Sequence, residues 1–160
     1  SSAGSIFYTQ TRVGKNNKPF NLFKFRTMFE NSEIDSGPVW ASIDDPRITG
    51  IGRLLRKFRI DEIPQLLNVF KGDMSIVGPR PERPFFVEKL TVRFPYYSRR
   101  LCLRPGITGW AQVVGDYDTT LENVESKLKH DFYYIENISM LLDIKIMFMT
   151  LIILLKGRGR

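Results

Sequence analysis

Ten consecutive residues close to the C-terminal end, Ile146-Met147-Phe148-Met149-Thr150-Leu151-Ile152-Ile153-Leu154-Leu155, are apolar on every face a helix could present. A surface helix of a globular domain normally keeps a polar stripe, so this segment needs cover on all sides. It is too short to cross hydrocarbon, which takes about 20 residues. Two settings satisfy it: a buried core helix, or a helix in the membrane interface with the basic tail Lys156-Gly157-Arg158-Gly159-Arg160 on lipid headgroups. No secretory signal opens the chain, and no other apolar stretch is longer. The abrupt start at Ser1-Ser2-Ala3-Gly4 reads as the edge of a longer protein, so an upstream membrane element is expected.

A length of 160 residues suits one domain with a real core, here taken as 1–160. The net charge of +7 calls for an anionic partner: nucleic acid, a lipid surface or a phosphorylated small molecule. That charge is concentrated. Between Arg47 and Arg104 there are 13 Lys or Arg against 5 Asp or Glu, and the remainder is nearly neutral. A single cysteine, Cys102, excludes an internal disulfide, and with one histidine, His130, it cannot build a Cys/His zinc site. Any metal is therefore expected to be hard and oxygen-ligated.

Two segments, 5–13 and 20–28, lean toward strand, and Gly14-Lys15-Asn16-Asn17-Lys18-Pro19 between them is turn chemistry, so a hairpin is expected. In the second, Phe20, Leu22 and Lys24 alternate with Asn21, Phe23 and Phe25. Residues 30–46 are polar and carry Gly37-Pro38 and Asp45-Pro46, the pattern of a long loop that closes over a substrate. Ile51, Leu54, Leu55 and Phe58 follow helical spacing, with Arg53, Arg56 and Lys57 opposite. A second short helix is expected from Asp61, tolerating Pro64 in its first turn and ending at Gly72. The prolines of Val77–Pro84 predict a rigid loop, residues 85–94 a helix, and Tyr96–Leu101 another turn. Residues 104–113 read as irregular with strand character at the end. Thr119-Thr120-Leu121-Glu122 is a capping box opening a helix with Leu121, Val124, Leu128, Phe132 and Ile135 on one stripe and Asp131 beside it. The fold class is α+β, mostly short helices around a small hairpin, with the C-terminal apolar helix buried or interfacial.

Chemistry is expected at Asp61-Glu62. Neighbouring carboxylates at a helix start diverge, so one can face phosphorus while the other holds a metal, and the helix start favours an anion. By itself the dipeptide is better read as first-turn acids stabilising the helix dipole, and the turn that follows is what shifts the reading toward chemistry. Nearby, Pro79-Arg80-Pro81-Glu82-Arg83-Pro84 pre-orders two guanidinium groups, and arginine pairs with phosphate through two parallel hydrogen bonds. Lys24 and Arg26 are cations on an apolar strand, costly if buried without an anion. The sequence lacks GxxxxGK[ST], so this is not a Walker loop.

In order along the chain come Phe7-Tyr8-Thr9-Gln10-Thr11-Arg12-Val13-Gly14, Lys24-Phe25-Arg26-Thr27-Met28, Asp45-Pro46-Arg47-Ile48-Thr49, Asp61-Glu62-Ile63-Pro64-Gln65-Leu66, Lys71-Gly72-Asp73-Met74-Ser75, Val77-Gly78-Pro79-Arg80-Pro81 and Arg104–Val113. This set resembles the catalytic domain of the bacterial sugar transferases known as monotopic phosphoglycosyl transferases, or polyprenyl glycosylphosphotransferases, and most closely their larger exopolysaccharide-initiating members. The resemblance implies transfer of a sugar 1-phosphate from a UDP-sugar to undecaprenyl phosphate with release of UMP, at the cytoplasmic face of the bacterial inner membrane. It implies that Asp61 is the nucleophile forming a covalent phosphosugar, that Glu62 binds Mg²⁺, and that Arg80, between Pro79 and Pro81, binds substrate. Lys24, Arg26, Arg83 and Arg104 are further candidates for phosphate contacts, and Asp131 or Asp143 for assisting the metal. Two departures are expected to matter: the family's re-entrant N-terminal membrane helix is not among these 160 residues, and Val114 replaces the Asn usual after Gln112-Val113. Homo-oligomerisation is left open. A basic nucleic-acid module and a silent membrane-surface scaffold are the rival readings; the first lacks any recognisable nucleic-acid motif.

Overall fold

The computed structural model describes residues 2, 4–34, 37–42, 45–115 and 121–157, excluding the side chains of residues 121 and 122. The expected hairpin forms from β1 (Phe7–Val13) and β2 (Pro19–Phe25), antiparallel with Phe7 opposite Phe25 and Val13 opposite Pro19. Asn16 and Asn17 take left-handed φ values of 55° and 61° in the turn, where a short amide side chain is tolerated. β2 ends at Phe25, three residues short of the expected end, and Met28 makes an isolated bridge to Ile48.

α1 (Gly50–Lys57) is capped by Thr49, whose Oγ1 accepts from the Gly52 amide at 3.0 Å. Its apolar stripe points outward: Ile51 and Leu54 are more than half exposed. The face that packs is the one carrying Gly52 and Arg56. A Cβ on Gly52 would lie 2.0 Å from the Thr27 carbonyl oxygen, and Arg56 Nε donates to Thr27 Oγ1 at 2.8 Å. Backbone contact through a glycine, not apolar burial, fixes how α1 sits.

The expected helix from Asp61 resolves into a 3-10 turn, Ile60–Gln65, that runs into α2 (Leu66–Lys71). Pro64 sits in the tighter turn, and Gly72 at φ 80° closes α2 as anticipated. β3 (Ser75–Val77) pairs in parallel with β4 (Gly106–Thr108), a contact too short to leave a strand signature. Only glycine fits that crossing, since a Cβ on Gly106 would stand 2.1 Å from the Gly78 nitrogen. α3 (Pro84–Arg93) begins on a proline, and a 3-10 turn follows over Tyr97–Cys102.

The end of the 104–113 segment, expected to have strand character, is helical: α4 (Trp110–Val114). The adjacent valines favour strand locally, but Trp110 packs against Tyr133 at 5.5 Å and Gln112 Nε2 reaches back to the Ile107 carbonyl at 3.1 Å. α5 (Leu121–Glu136) buries Val124 and Leu128 with Val13, Phe86, Val87, Leu90 and Tyr97. The capping box at 119–122 lies outside the described residues.

α6 (Met140–Leu155) starts at Ser139, whose Oγ accepts from the Leu142 amide at 3.2 Å. Of the two settings open to this apolar segment, full burial in the domain is not the one adopted. Ile146 is buried beside Tyr134 and Val77, whereas Phe148 is 64% and Leu155 86% exposed. Among the described residues no helix is long and apolar enough to cross a membrane.

Candidate active site

β2, the 3-10 turn and the loop after β3 meet around Glu62. Asn68, fully buried on α2, joins the first two: its Nδ2 donates to the Asn21 carbonyl at 2.7 Å and its Oδ1 accepts from the Phe23 amide at 3.1 Å. A side-chain amide thus continues the edge of β2 and holds the acidic turn beside Lys24. Arg59 enters that turn with φ 52°, a left-handed conformation uncommon for its residue type.

The two carboxylates, both buried, have different surroundings. In a 3-10 turn consecutive side chains diverge by about 120°. Glu62 Oε1 accepts from Lys24 Nζ at 3.1 Å and from Arg80 Nη2 at 2.5 Å, while Oε2 has only a long 3.4 Å contact with Arg80 Nη1. Burial acts to raise the Glu62 pKa, but Arg80 and then Lys24 outweigh it and hold the carboxyl well below the usual range. The Glu62 charge in turn raises the Arg80 pKa, and burial lowers that of Lys24 despite its anionic neighbour.

Asp61 has no hydrogen bond or ion pair to any described residue. Burial pushes its pKa up, partly countered by Lys24 and by the more distant Arg56 and Arg80. It is an uncommitted carboxylate in a field of cations, as a nucleophile toward an electron-poor centre requires. No group of three or more carboxylate, imidazole or thiol side chains gathers among the described residues. Asp131 pairs with Arg100 at 2.8 Å, and Asp143 accepts from Tyr134 Oη at 2.8 Å, so neither joins Glu62 as a metal ligand. The remaining donors for a hard cation are Asp61 and Glu62 Oε2, enough for an ion that draws its other ligands from water and substrate phosphate.

The other expected phosphate contacts are dispersed. Arg26 turns to the N-terminal backbone, donating to the Ser5 carbonyl at 2.7 Å and the Ser2 carbonyl at 3.1 Å. Arg83 makes two 2.8 Å hydrogen bonds to Glu33, which also lies 3.9 Å from Arg47. This contact, with Trp40 stacked 4.5 Å from Phe86, lays the 30–46 loop against α3. Arg104 lines a separate open cleft of about 320 Å³ with Lys15 and Lys18. Arg47, Arg80, Arg83 and Arg100, all in the segment of concentrated charge, are held in internal ion pairs, so these four of its 13 cations are not free basic surface for a nucleic acid.

Sequence reasoning passed over Arg12, Asn68, Arg100 and Lys127. Glu82 lies half-buried between Arg12 and Lys127, with contacts of 3.5 Å and 3.1 Å. Against the upward push of burial, Lys127 and then Arg12 bring its pKa down to about 2. The one hint was an acid placed among the arginines and prolines of 79–84.

This geometry belongs with the relationships of the chain. The bacterial sugar transferase family is matched over residues 1–157. The chain belongs to that family. Like this bacterial sugar transferase, the UDP-N-acetylgalactosamine-undecaprenyl-phosphate N-acetylgalactosaminephosphotransferase of Aeromonas hydrophila carries the domain, 48% identical over 99% of this chain and 37% of its own length. The UDP-glucose:undecaprenyl-phosphate glucose-1-phosphate transferase of Escherichia coli K12 is 42% identical over 94% of the chain and 32% of its length. An uncharacterized sugar transferase of Bacillus subtilis 168, EpsL, is 42% identical over 96% of the chain and 72% of its length. The chain thus spans about a third of the length of the first two relatives.

Proposed function

We propose that this bacterial sugar transferase moves a sugar 1-phosphate from a UDP-sugar to undecaprenyl phosphate, releasing UMP, as the first membrane step of exopolysaccharide assembly. The observation that carries the reading is the division of the acidic pair: Glu62 neutralised by Lys24 and Arg80, Asp61 without a hydrogen bond or ion pair among the described residues. The relatives' names supply the substrate classes, a UDP-sugar and undecaprenyl phosphate.

In this mechanism Lys24 and Arg80 turn part of their hydrogen bonding from Glu62 to the donor diphosphate. An Asp61 oxygen attacks the phosphorus bearing the sugar, the bond to the bridging oxygen breaks, and UMP departs with that electron pair. The lipid phosphate oxygen then attacks the same phosphorus, releasing the Asp61 carboxylate and forming the lipid diphosphate sugar. Glu62, through Oε2, would hold Mg²⁺, which when bound neutralises diphosphate charge.

The acceptor side is the apolar one. Ile63, Leu67 and Phe70 on the acidic turn and α2 are more than half exposed, as are Ile51 and Leu54 on α1 and Phe148 and Leu151 on α6. Lys57, in the last turn of α1, lies against Gly157 just beyond α6, so these faces adjoin with cations at their junction. An apolar surface with a basic margin suits an anionic bilayer, and the cytoplasmic face of the inner membrane is where the acceptor would be met. This supports the interfacial setting for α6.

The test is to incubate detergent-purified protein with a panel of UDP-sugars without acceptor. One donor should release stoichiometric UMP and leave a sugar-phosphate mass on the peptide containing Asp61; undecaprenyl phosphate should discharge it. UMP release with label on no peptide, or with unchanged yield in Asp61→Asn, would refute the covalent route.

A further inference from the structure

Arg80 meets Glu62 from a turn that has few donors of its own, because Pro79 and Pro81 lack amide hydrogens. The turn is held through its carbonyls. Pro79 O accepts from the Gly106 amide at 3.0 Å, Arg80 O from Arg100 Nη2 at 2.8 Å, Pro81 O from Arg12 Nη1 at 3.1 Å, and Glu82 O from the Val13 amide at 2.9 Å. Four consecutive carbonyls are fastened, two of them by side chains.

Of those two, Arg100 reaches the backbone of the residue whose guanidinium enters the acidic site. It is 4% exposed, and its Nη2 lies 2.8 Å from Oδ2 of Asp131 on α5, itself 2% exposed, an ion pair held by charge and not aligned as a hydrogen bond. Nη1 donates to the Tyr97 hydroxyl at 2.9 Å. A buried ion pair of this kind seldom adds stability over an apolar pair of the same volume. Its geometric property is different: one rigid fork ties α5, the 97–102 turn and the Arg80 carbonyl to a fixed separation.

We propose that Arg100, anchored by Asp131, is a positioning residue that sets the reach of Arg80 into the Asp61-Glu62 site. The inference rests on the reading of that pair as the reaction centre. A misplacement of about 1 Å in a charge-neutralising group costs on the order of 100-fold in rate, so a contact behind the turn acts on the chemistry in front of it.

Arg100→Lys keeps a charge opposite Asp131, but a single ammonium cannot span the carbonyl, Asp131 and Tyr97 together. Two readouts apply in the detergent-purified protein. Hydrogen exchange should quicken about 10-fold at the Gly106 and Val13 amides, whose acceptors belong to the turn, with little change around Ile146 in α6. In a double-mutant cycle, Arg100→Lys should lower kcat/KM for the donor about 10-fold in the native background and less than about 2-fold in Arg80→Lys. A purely structural role gives equal losses in both backgrounds, and that result overturns the proposal. So does native exchange at both amides.

Asp131→Asn, which retains shape and leaves Arg100 in place, should give the same pattern more weakly; it decides the matter if Arg100→Lys does not fold. Exchange needs no substrate. If native protein releases no UMP, the proposed function falls while the positioning claim is still judged by exchange.

Discussion

Removing the charge from either member of the acidic pair should change stability in opposite directions. Glu62→Gln leaves Lys24 and Arg80 facing a neutral amide. Taking one partner from a buried ion pair costs about 3–5 kcal/mol, but the Arg80 side chain is 33% exposed, so solvent reduces the figure to about 2–4 kcal/mol. For a domain of this size that is a fall in Tm of roughly 5–15 °C. Asp61→Asn removes a charge that burial disfavours and that no described residue hydrogen-bonds, so the variant should melt at or above the native temperature. The signs follow by linkage. The Glu62 pKa is depressed on folding, so its contribution is present above the ordinary value of 4.5 and is lost as pH falls through the folded value. The Asp61 pKa is raised, so its cost is present above the folded value and disappears as pH falls toward 3.8. Thermal melts in detergent at pH 7, paired with UMP release, make the comparison, and both variants should lose turnover. An Asp61→Asn loss above about 2 kcal/mol would mean that Asp61 is a structural partner, and the argument for a free nucleophile would collapse.

The acid limb of the donor kcat/KM profile should lie above 3.8, because Asp61 protonates before a solvated aspartate would; a limb at or below that value contradicts the raised pKa. Gly106→Ala should cost about 3 kcal/mol or more, since its Cβ would meet the Gly78 nitrogen at 2.1 Å, and a chemical-denaturation midpoint near native would show that the crossing relaxes. Phe70→Ser and Phe148→Ser, at positions 87% and 64% exposed, should leave the melting temperature within a degree or two while weakening co-sedimentation with anionic liposomes; unchanged sedimentation of the double variant would remove these faces from the membrane contact. Chelation by EDTA should abolish UMP release and added Mg²⁺ restore it, with full activity in EDTA as the contrary result.

Local chemistry alone identified the hairpin, the proline-stiffened turn and the acidic pair, because each is written in adjacent residues: the Asn16-Asn17 turn, the prolines at 79, 81 and 84, the Gly72 stop. The ordered motifs likewise carried the family. What those residues face was settled by contacts between distant segments. Lys24 and Arg26 stand two apart on one strand motif, yet Lys24 meets Glu62 while Arg26 turns to Ser2 and Ser5. Arg83 carries the same charge as Arg80 three positions earlier, but Glu33 holds it on the 30–46 loop. The outward apolar stripe of α1 follows from Gly52 packing on Thr27, which no periodicity reveals, and the helix at 110–114 follows from Trp110 against Tyr133. The terminal apolar run fixed a need for cover, and the fold satisfied it inside the domain for Ile146 while leaving Phe148, Leu151, Ile152 and Leu155 outward. Composition and spacing select which groups are present; their charge states and roles depend on burial and partners, and those exist only once the chain has folded.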